Sequence, residues 1–194
     1  MNKIIFDFDQ TLYNIKTDWK LLKEEINQLL EFNQLPAIST KLFEHLYTAF
    51  LSMPNHPLIP RISQLISSFE ESGIRTGNPL PLFEDVKLIT KLSHAPMIIY
   101  TQNTQTVVKK FFIKQSINNV KVIGRLSNSF LPKNHQECIS RFNHFLNKNH
   151  KVAQLTFVGD SQVDAEIAAK LNAKFIRANN NTEIFNYHKL TFTH

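Results

Sequence analysis

At residues 4–12 the chain reads Ile-Ile-Phe-Asp-Phe-Asp-Gln-Thr-Leu, an apolar run that ends with two aspartates, Asp7 and Asp9. Side chains alternate along a strand, so the two carboxylates can point to the same side. An ionised carboxylate is costly to desolvate unless it is paired or binds a metal. Asp9 could cap the following turn and Asp7 could pair with a buried lysine. The alternative is that the end of this strand needs negative charge for chemistry.

The composition predicts one core domain with a modest insertion. The 194 residues are 42% hydrophobic and 20% charged, which is ordinary for a globular chain of this length. A single cysteine, Cys138, allows no internal disulfide and suits a reducing compartment. We find no signal-peptide pattern and no run near the roughly 18 apolar residues of a membrane span. These features predict a cytoplasmic protein without a membrane partner.

The net charge of +6 is compatible with a nucleic-acid partner or with an anionic substrate. Because the lysines are scattered along the chain, we expect no nucleic-acid partner. The eight histidines show no tight ligand spacing, so we expect no zinc site. Cys138 falls on the apolar face of a predicted helix, which indicates a core position rather than a nucleophile.

Strand-like and helical patterns alternate along most of the chain. Strands are predicted at residues 3–8, 97–101, 120–123, 155–158 and 174–177, several of them apolar on successive residues, as in sheets that are covered on both faces. Helices are predicted at residues 82–92, 104–114, 136–147 and 163–171. This alternation predicts an α/β fold with a doubly wound parallel sheet.

Residues 14–80 break the alternation. They carry three helical patterns and no convincing strand, separated by Pro36, by the prolines of residues 54–60 and by the segment from Gly73 to Pro81. We interpret this region as a small helical domain inserted after the first strand. The core domain would then comprise residues 1–13 and 81–194.

A second acidic motif, at residues 157–164, reads Phe-Val-Gly-Asp-Ser-Gln-Val-Asp. Gly159 allows a tight turn and a close approach of the backbone, and Asp160 and Asp164 share a face if a helix begins there. Asp160 or Ser161 could simply cap that helix. Together with Asp7 and Asp9, however, the motif predicts carboxylates from two strands at one edge of the sheet, where α/β folds bind ligands. Between the motifs lie Thr101, at a strand end, and Lys133, in a loop.

The order of these motifs resembles that of the haloacid dehalogenase superfamily. The chain has Asp-x-Asp-x-Thr, then Thr, then Lys, then Gly-Asp-x-x-x-Asp, and the resemblance covers nearly all of it. It implies a Rossmann-like core with a helical cap, inserted where residues 14–80 stand. It also implies a Mg²⁺-dependent phosphatase that acts on a small phosphorylated metabolite.

The resemblance assigns a role to each motif residue. Asp7 would attack phosphorus and form an aspartyl-phosphate, and Asp9 would protonate the leaving oxygen and then activate water, a role that neighbouring negative charge favours by raising the pKa of Asp9. As an ordinary carboxylate, Asp7 would already be ionised near neutrality. The ligands of Mg²⁺ would be Asp7, Asp9, Asp160 and Asp164. The phosphoryl group would be bound by Thr11, Thr101, Gln102, Asn103 and Lys133.

Several positions depart from the family pattern. Gln10 stands where glycine is usual, Asn134 where proline is common, and Asn172-Ala173 where Ala-Gly is frequent. Asp9 is itself informative, because dehalogenases proper lack this second aspartate. Its presence favours phosphate chemistry over carbon–halogen cleavage.

Four side chains are candidates for substrate contact in or near the cap, namely Tyr13, Trp19, Arg61 and Arg75. Packing of the aromatic rings and solvation of the arginines are the alternatives. The sequence also leaves open a phosphomutase and a non-catalytic binding module on the same fold. A response-regulator receiver domain is a further alternative, but it carries neither a large helical insertion after its first strand nor the Gly-Asp-x-x-x-Asp motif.

Overall fold

A computed structural model describes residues 2–93, 96–148 and 154–178 of the chain. In chain order its elements are β1 (Asn2–Phe6), β2 (Tyr13–Asn14), α1 (Trp19–Phe32), α2 (Leu42–Phe50), α3 (Leu58–Thr76), β3 (Asn78–Pro79), α4 (Pro81–Ser93), β4 (Met97–Thr104), α5 (Gln105–Lys114), β5 (Val120–Arg125), α6 (Gln136–Lys148), β6 (Gln154–Gly159), α7 (Gln162–Lys170) and β7 (Lys174–Arg177). The end of the predicted core, residues 179–194, lies outside the described residues.

The core is a five-stranded sheet in the order β5-β4-β1-β6-β7, and every pair of neighbouring strands is parallel. Strand β1 is central, and the strand order runs outward from it in both directions. In such sheets, ligands bind outside the carboxyl ends of the strands near the point where the order reverses. The topology therefore predicts a ligand site beside the residues that follow β1.

Helices cover both faces of the sheet. One face packs against apolar side chains of α4 and α5, including Phe83, Val108 and Phe112. The other packs against α6 and α7, including Phe142 and Ile167. This arrangement confirms the predicted doubly wound α/β fold, and it explains why the strands are apolar on successive residues. Cys138 is buried in the second cluster, as predicted.

Between β2 and β3 the chain forms the three predicted helices. Helices α1, α2 and α3 share a separate hydrophobic cluster around Leu22, Leu46 and Ile62, which Phe130 of the core joins. The prediction that residues 14–80 contain no strand was wrong at the two ends of this segment, since β2 pairs with β3 as an antiparallel ribbon. Two-residue strands are too short to show an alternating pattern, so the sequence could not reveal them.

Gly73 does not separate elements as predicted, because it lies within α3. A Cβ atom at this position would lie 2.5 Å from Thr17 Oγ1 and 2.8 Å from Ile15 Cγ2. The glycine therefore allows α3 to approach the segment that leads into α1. Pro60 likewise falls in the first turn of α3, where its missing N–H costs nothing.

Among the described residues, no helix combines the length and the apolar character that crossing a membrane requires.

Candidate active site

A cavity of about 200 Å³ lies at the carboxyl ends of the central strands. It brings together residues from both acidic motifs, from β4, from the loop before α6 and from the inserted helices. Its lining consists of Asp7, Asp9, Gln10, Trp19, Phe43, Glu70, Thr101, Gln102, Asn103, Lys133 and Asp160. Asp7 and Asp9 thus face one space, as the alternation of side chains predicts.

Asp7 directly follows β1 and is 4% exposed. Its N–H donates to the carbonyl of Val158 at 2.9 Å, so the backbone still belongs to the sheet at this residue. Its Oδ1 lies 3.0 Å from Lys133 Nζ, with which it forms a buried ion pair. Burial raises the pKa of Asp7 to about 7, although Lys133 acts in the opposite direction. In the protein without metal Asp7 is therefore not the ordinary carboxylate that the sequence suggests.

Lys133 is fixed rather than solvated. Its ammonium group lies 2.7 Å from Asp164 Oδ1 as well as 3.0 Å from Asp7 Oδ1. Burial by itself would lower the pKa of Lys133, but the two carboxylates outweigh that effect and raise the pKa above its usual range. The lysine is therefore positively charged at neutral pH.

Two side chains of β4 hold the backbone of the Lys133 loop. Tyr100 donates its hydroxyl to the carbonyl of Lys133 at 2.6 Å. The N–H of Lys133 donates to Gln102 Oε1 at 2.5 Å, and Gln102 Nε2 donates to the carbonyl of Leu131 at 3.3 Å. Gln102, predicted to bind phosphate, lines the cavity but uses both ends of its amide to hold this loop. Sequence reasoning missed the contribution of Tyr100, since nothing local links β4 to a loop about 30 residues later.

The Gly-Asp-x-x-x-Asp motif forms the turn into α7. Ser161 is the N-cap, and Asp164 completes a capping box by accepting from the Ser161 N–H at 3.0 Å. A Cβ atom on Gly159 would lie 2.5 Å from the Cβ of Asp164. Glycine is therefore required at residue 159 by the close approach of Asp164, which is fully buried.

Asp7, Asp160 and Asp164 form a cluster in which one carboxylate oxygen of each lies within 4.8 Å of the others. Oxygen donors of this kind suit Mg²⁺, and the carboxylates of Asp7 and Asp160 line the cavity in which a cation would bind. Both oxygens of Asp164 are engaged, Oδ1 by Lys133 and Oδ2 by Ser161. Asp7 and Asp160 line the cavity, whereas Asp164 lies behind them and orients Lys133.

Asp9 is half-buried, and its Oδ1 accepts from the N–H of Ile15 at 3.1 Å. Burial raises its pKa, the N–H of Ile15 opposes that shift, and the charge of Asp160 adds to it. The sequence suggested that neighbouring negative charge would raise this pKa. In the structure that contribution is secondary to desolvation.

Gln10 stands where the family usually has glycine, and it adopts the left-handed backbone conformation that glycine favours, with φ of 59°. The turn is held by the Gln10 N–H, which donates to the carbonyl of Tyr13 at 2.8 Å, and by the side-chain amide, which donates to Asn14 Oδ1 at 3.0 Å. The departure at this position therefore keeps the shape of the turn, and it places an amide side chain at the cavity.

Thr101 and Asn103 form a buried polar pair at the cavity. Thr101 Oγ1 donates to Asn103 Oδ1 at 2.8 Å and accepts from the Asn103 N–H at 3.2 Å. Thr104, not Thr101, is the N-cap of α5. Thr11 is also buried, but its hydroxyl donates to Asp160 Oδ1 at 3.5 Å, and it does not line the cavity. Thr11 therefore supports a carboxylate of the site instead of facing the cavity.

Of the four side chains predicted as candidates for substrate contact, one lines the cavity and three do not. Trp19 lines the cavity. Tyr13 is packed in the core, stacked on Phe8, with its hydroxyl donating to the carbonyl of Ile74. Arg61 and Arg75 are exposed and do not line the cavity.

Two further residues of the inserted helices, Phe43 and Glu70, do line the cavity. Sequence reasoning missed them because each occupies a position in an amphipathic helix that nothing local marks. Glu70 is fully buried, which only the tertiary structure reveals.

The other positions that depart from the family pattern do not line the cavity. Asn134 Nδ2 donates to Glu166 Oε2 at 3.4 Å, and the Asn134 carbonyl accepts from Lys170 Nζ at 2.9 Å. Asn172 ends α7 in the left-handed conformation, with φ of 51°, which asparagine tolerates. Neither position alters a cavity residue.

Fold and site together define an α/β protein with an acidic, lysine-containing centre at the carboxyl edge of its sheet. The chain matches the haloacid dehalogenase-like hydrolase family over residues 4–178, and it belongs to that family. The family prediction is thus confirmed. No curated protein matches the chain in sequence.

Solved structures share the fold at low sequence identity. CbbY from Rhodobacter sphaeroides, in complex with phosphate, is 13% identical with a TM-score of 0.58, and the alignment covers 90% of this chain and 84% of that one. A proposed phosphoglycolate phosphatase from Lactobacillus plantarum is 17% identical, with a TM-score of 0.55 and coverage of 90% and 84%. Protein tyrosine kinase A from Mycobacterium tuberculosis is 13% identical, with a TM-score of 0.53 and coverage of 90% and 82%. Their different names show that the fold alone does not decide the activity.

Proposed function

We propose that this protein is a Mg²⁺-dependent phosphatase that hydrolyses a small phosphorylated metabolite through an aspartyl-phosphate on Asp7. The observation that carries the proposal is the convergence of Asp7, Lys133 and Asp160 on one cavity, with Lys133 Nζ 3.0 Å from Asp7 Oδ1. A buried carboxylate beside a fixed cation suits attack on a dianionic ester, whose charge must be neutralised. The phosphate bound to CbbY of Rhodobacter sphaeroides is consistent with this substrate class.

In the first step a carboxylate oxygen of Asp7 forms a bond to phosphorus while the bond from phosphorus to the ester oxygen breaks. Asp9 donates its proton to that leaving oxygen. The raised pKa of Asp9 supports this role, because a general acid must hold its proton near the working pH. Lys133 and Thr101 would bind the phosphoryl oxygens from the cavity wall.

In the second step Asp9 accepts a proton from water while the water oxygen attacks phosphorus. The bond between Asp7 and phosphorus breaks, inorganic phosphate leaves and the Asp7 carboxylate is regenerated. When bound, Mg²⁺ would neutralise charge on the phosphoryl oxygens. Asp7 and Asp160 would hold it with the backbone carbonyl of Asp9, and Asp164 would support them from behind.

We also propose that residues 14–80 act as a cap over the core formed by residues 1–13 and 81–194. Support comes from their separate hydrophobic cluster, and from Trp19, Phe43 and Glu70, which reach the cavity from this segment. A cap of this kind excludes water from the first step and selects the leaving group. The lone, buried cysteine fits the reducing cytoplasm, where we propose that the enzyme works.

The decisive experiment is phosphate release from a panel of phosphorylated metabolites, measured with Mg²⁺ and with chelator. We expect Mg²⁺-dependent release that disappears in Asp7→Asn. The matched control is Asp18→Asn, since Asp18 is exposed and caps α1, where asparagine serves equally well. A wild-type protein that is inert across the panel and binds no Mg²⁺ would contradict the proposal.

Asp9→Asn tests the intermediate. With a good leaving group, this variant should form the aspartyl-phosphate and fail to hydrolyse it, so intact mass should increase by one phosphoryl group. Normal turnover by Asp9→Asn would remove Asp9 from the acid and base roles. In the wild type, transfer of the group to a second sugar hydroxyl would identify a phosphomutase, and a stable adduct at Asp7 would indicate a receiver-like function.

A further inference from the structure

The loop that carries Lys133, residues 126–135 between β5 and α6, is packed into the inserted helices. Its Phe130 is 5% exposed and belongs to the hydrophobic cluster of α1, α2 and α3. Among the described residues, Phe130 is the only member of this cluster from outside residues 14–80. The next residue, Leu131, packs instead against the cluster of α6 and α7. The chain therefore passes from one hydrophobic core to the other between two adjacent residues.

Polar contacts bind the start of this loop to α3. Arg125, the last residue of β5, donates through Nη1 to Ser63 Oγ at 3.2 Å and to the carbonyl of Ser129 at 3.4 Å. The N–H of Asn128 donates to the same Ser63 oxygen at 3.1 Å. Arg125 also lies 3.7 Å from Glu70 Oε1, in a buried ion pair with α3. Because Ser63 and Arg125 are both buried, water does not compete for these contacts.

A further contact lies at the other end of the loop. The hydroxyl of Tyr47 on α2 lies 3.3 Å from Nε2 of His135, and the centroids of the two rings are 5.1 Å apart. Nδ1 of His135 accepts from the N–H of Glu137 at 3.3 Å. In the neutral imidazole Nε2 therefore carries the proton and donates it to the hydroxyl of Tyr47. The inserted helices thus contact the loop both before and after Lys133.

The connection between Phe130 and Lys133 is short and stiff. It consists of Leu131 and Pro132, and three steps of extended chain span at most about 11 Å. The ring of Pro132 fixes its φ angle, and a residue before proline is restricted to extended conformations. A shift of Phe130 is therefore transmitted to the backbone of Lys133 and is not absorbed on the way.

The other side of the loop is bound to the core, where the geometry is narrow. Lys133 Nζ lies 3.0 Å from Asp7 Oδ1 and 2.7 Å from Asp164 Oδ1. If the inserted helices moved away from the core, either Phe130 would have to leave its cluster or Lys133 would have to leave the two carboxylates. The loop therefore links the position of the helices to that of the lysine.

We propose that Phe130 is a positioning residue, which holds Lys133 beside Asp7 only while the inserted helices are docked on the core. Displacement of the helices draws the ammonium group away, and docking restores the ion pair. The importance of this coupling for turnover rests on the proposed phosphatase function, whereas the coupling itself can be measured without a substrate. Under that function, the positive charge is in place only when the helices cover the cavity, which confines phosphoryl transfer to the covered state.

The alternative is that Phe130 only fills space in its cluster, and four variants separate the two interpretations. Phe130→Ala removes the anchor. Leu30→Ala is the matched control, because Leu30 on α1 is fully buried in the same cluster but lies outside the loop, and both variants lose a large apolar side chain. Phe130→Leu keeps an apolar anchor. Pro132→Gly leaves Phe130 in place and makes its connection to Lys133 flexible.

The direct measurement is acetylation of the metal-free protein by N-hydroxysuccinimidyl acetate, with mass spectrometry of the modified lysines. The side chain of Lys133 is 12% exposed, whereas that of Lys41 is 80% exposed and serves as the internal reference. We expect the ratio of Lys133 to Lys41 labelling to rise about tenfold or more in Phe130→Ala, because local release exposes the amine. It should also rise in Pro132→Gly. The ratio should stay within about twofold of the wild-type value in Leu30→Ala and in Phe130→Leu.

Hydrolysis of p-nitrophenyl phosphate with Mg²⁺ tests the consequence for catalysis. Phe130→Ala should lower kcat/KM about tenfold or more below that of Leu30→Ala. In a protein that already carries Lys133→Ala, the same change should alter kcat/KM by less than about twofold, because two changes that act through one group are not additive. A residue that served only the stability of the cluster would not show this dependence on Lys133.

Equal labelling ratios in Phe130→Ala and Leu30→Ala would overturn the positioning role. Additive losses from Phe130→Ala and Lys133→Ala would overturn its link to catalysis, and where Lys133→Ala leaves no measurable rate the labelling ratio decides. If Phe130→Ala does not fold, an unchanged ratio in Pro132→Gly would still contradict the coupling. A raised ratio in a protein that hydrolyses no ester with Mg²⁺ would support the coupling and overturn the proposed phosphatase.

Discussion

Replacing Asp7 with asparagine should abolish activity and at the same time stabilise the metal-free protein at alkaline pH. Asp7 has a folded-state pKa of about 7, against about 3.9 in an unfolded chain. Because the folded-state value is the higher one, the fold prefers the protonated acid. The contribution of Asp7 to stability is therefore complete below about pH 4 and is lost as pH rises through 7.

The difference of about 3 between the two pKa values corresponds to about 4 kcal/mol in all, of which about 2.5 kcal/mol falls between pH 5 and pH 8. The amide side chain of Asp7→Asn would resemble the protonated acid at every pH. Lys133 loses one partner in the variant but keeps Asp164 at 2.7 Å. The attraction between Lys133 and ionised Asp7 already contributes to the folded-state pKa of about 7, so the loss of this pair at high pH is included in the calculated difference. The pH-dependent part of the effect therefore isolates Asp7.

Urea denaturation with chelator, followed by circular dichroism at pH 5 and pH 8, measures this effect. The stability of Asp7→Asn relative to the wild type should be greater at pH 8 than at pH 5 by about 2–3 kcal/mol. Asp18→Asn, at an exposed helix cap, should show no such dependence. An equal difference at both pH values would refute the reasoning, because it would mean that Asp7 is not a destabilising buried charge in the metal-free protein.

Three further predictions concern the turn, the second motif and the metal. Gln10→Gly should change stability by no more than about 1 kcal/mol in thermal melts, whereas Gln10→Val should cost about 1–3 kcal/mol, because a β-branched residue is strained at φ of 59°. Gly159→Ala should cost about 1–3 kcal/mol and weaken Mg²⁺ binding, since its Cβ would lie 2.5 Å from that of Asp164. Unaltered melting and binding in that variant would show that the contact relaxes freely. Trp19 lines the cavity and is the only tryptophan, so its fluorescence can follow Mg²⁺ binding. The apparent Mg²⁺ affinity should fall about tenfold per pH unit below pH 7, because Asp7 must lose its proton to bind the metal. A flat titration between pH 5 and 7 would exclude Asp7 from the metal site.

Much of the fold could be predicted from local patterns. The five core strands are short apolar runs, and the helices between them repeat apolar residues at helical spacing, so both periods are visible along the chain. The ribbon of β2 and β3 was missed because each strand has two residues. The place of Gly73 within α3 was missed because a close approach to Thr17 overrides its usual effect on a helix.

The sequence by itself determined the acidic centre. Asp7, Asp9, Asp160 and Asp164 each follow or flank the end of an apolar strand, and the carboxyl ends of parallel strands meet at one edge. That rule is topological, so it needs no coordinates. The family itself was identified from the order of the motifs, which resembles that of haloacid dehalogenase-like hydrolases.

Only the tertiary structure decided what surrounds those carboxylates. Nothing in the sequence distinguishes Lys133 from an ordinary loop residue. It becomes part of the site because Tyr100 and Gln102, both on β4, hold its backbone. Glu70 reaches the cavity because α3 packs against β4. The pKa of Asp7 likewise depends on burial by distant segments of the chain. Contacts between residues far apart in sequence leave no periodic signal, and desolvation depends on all of them at once.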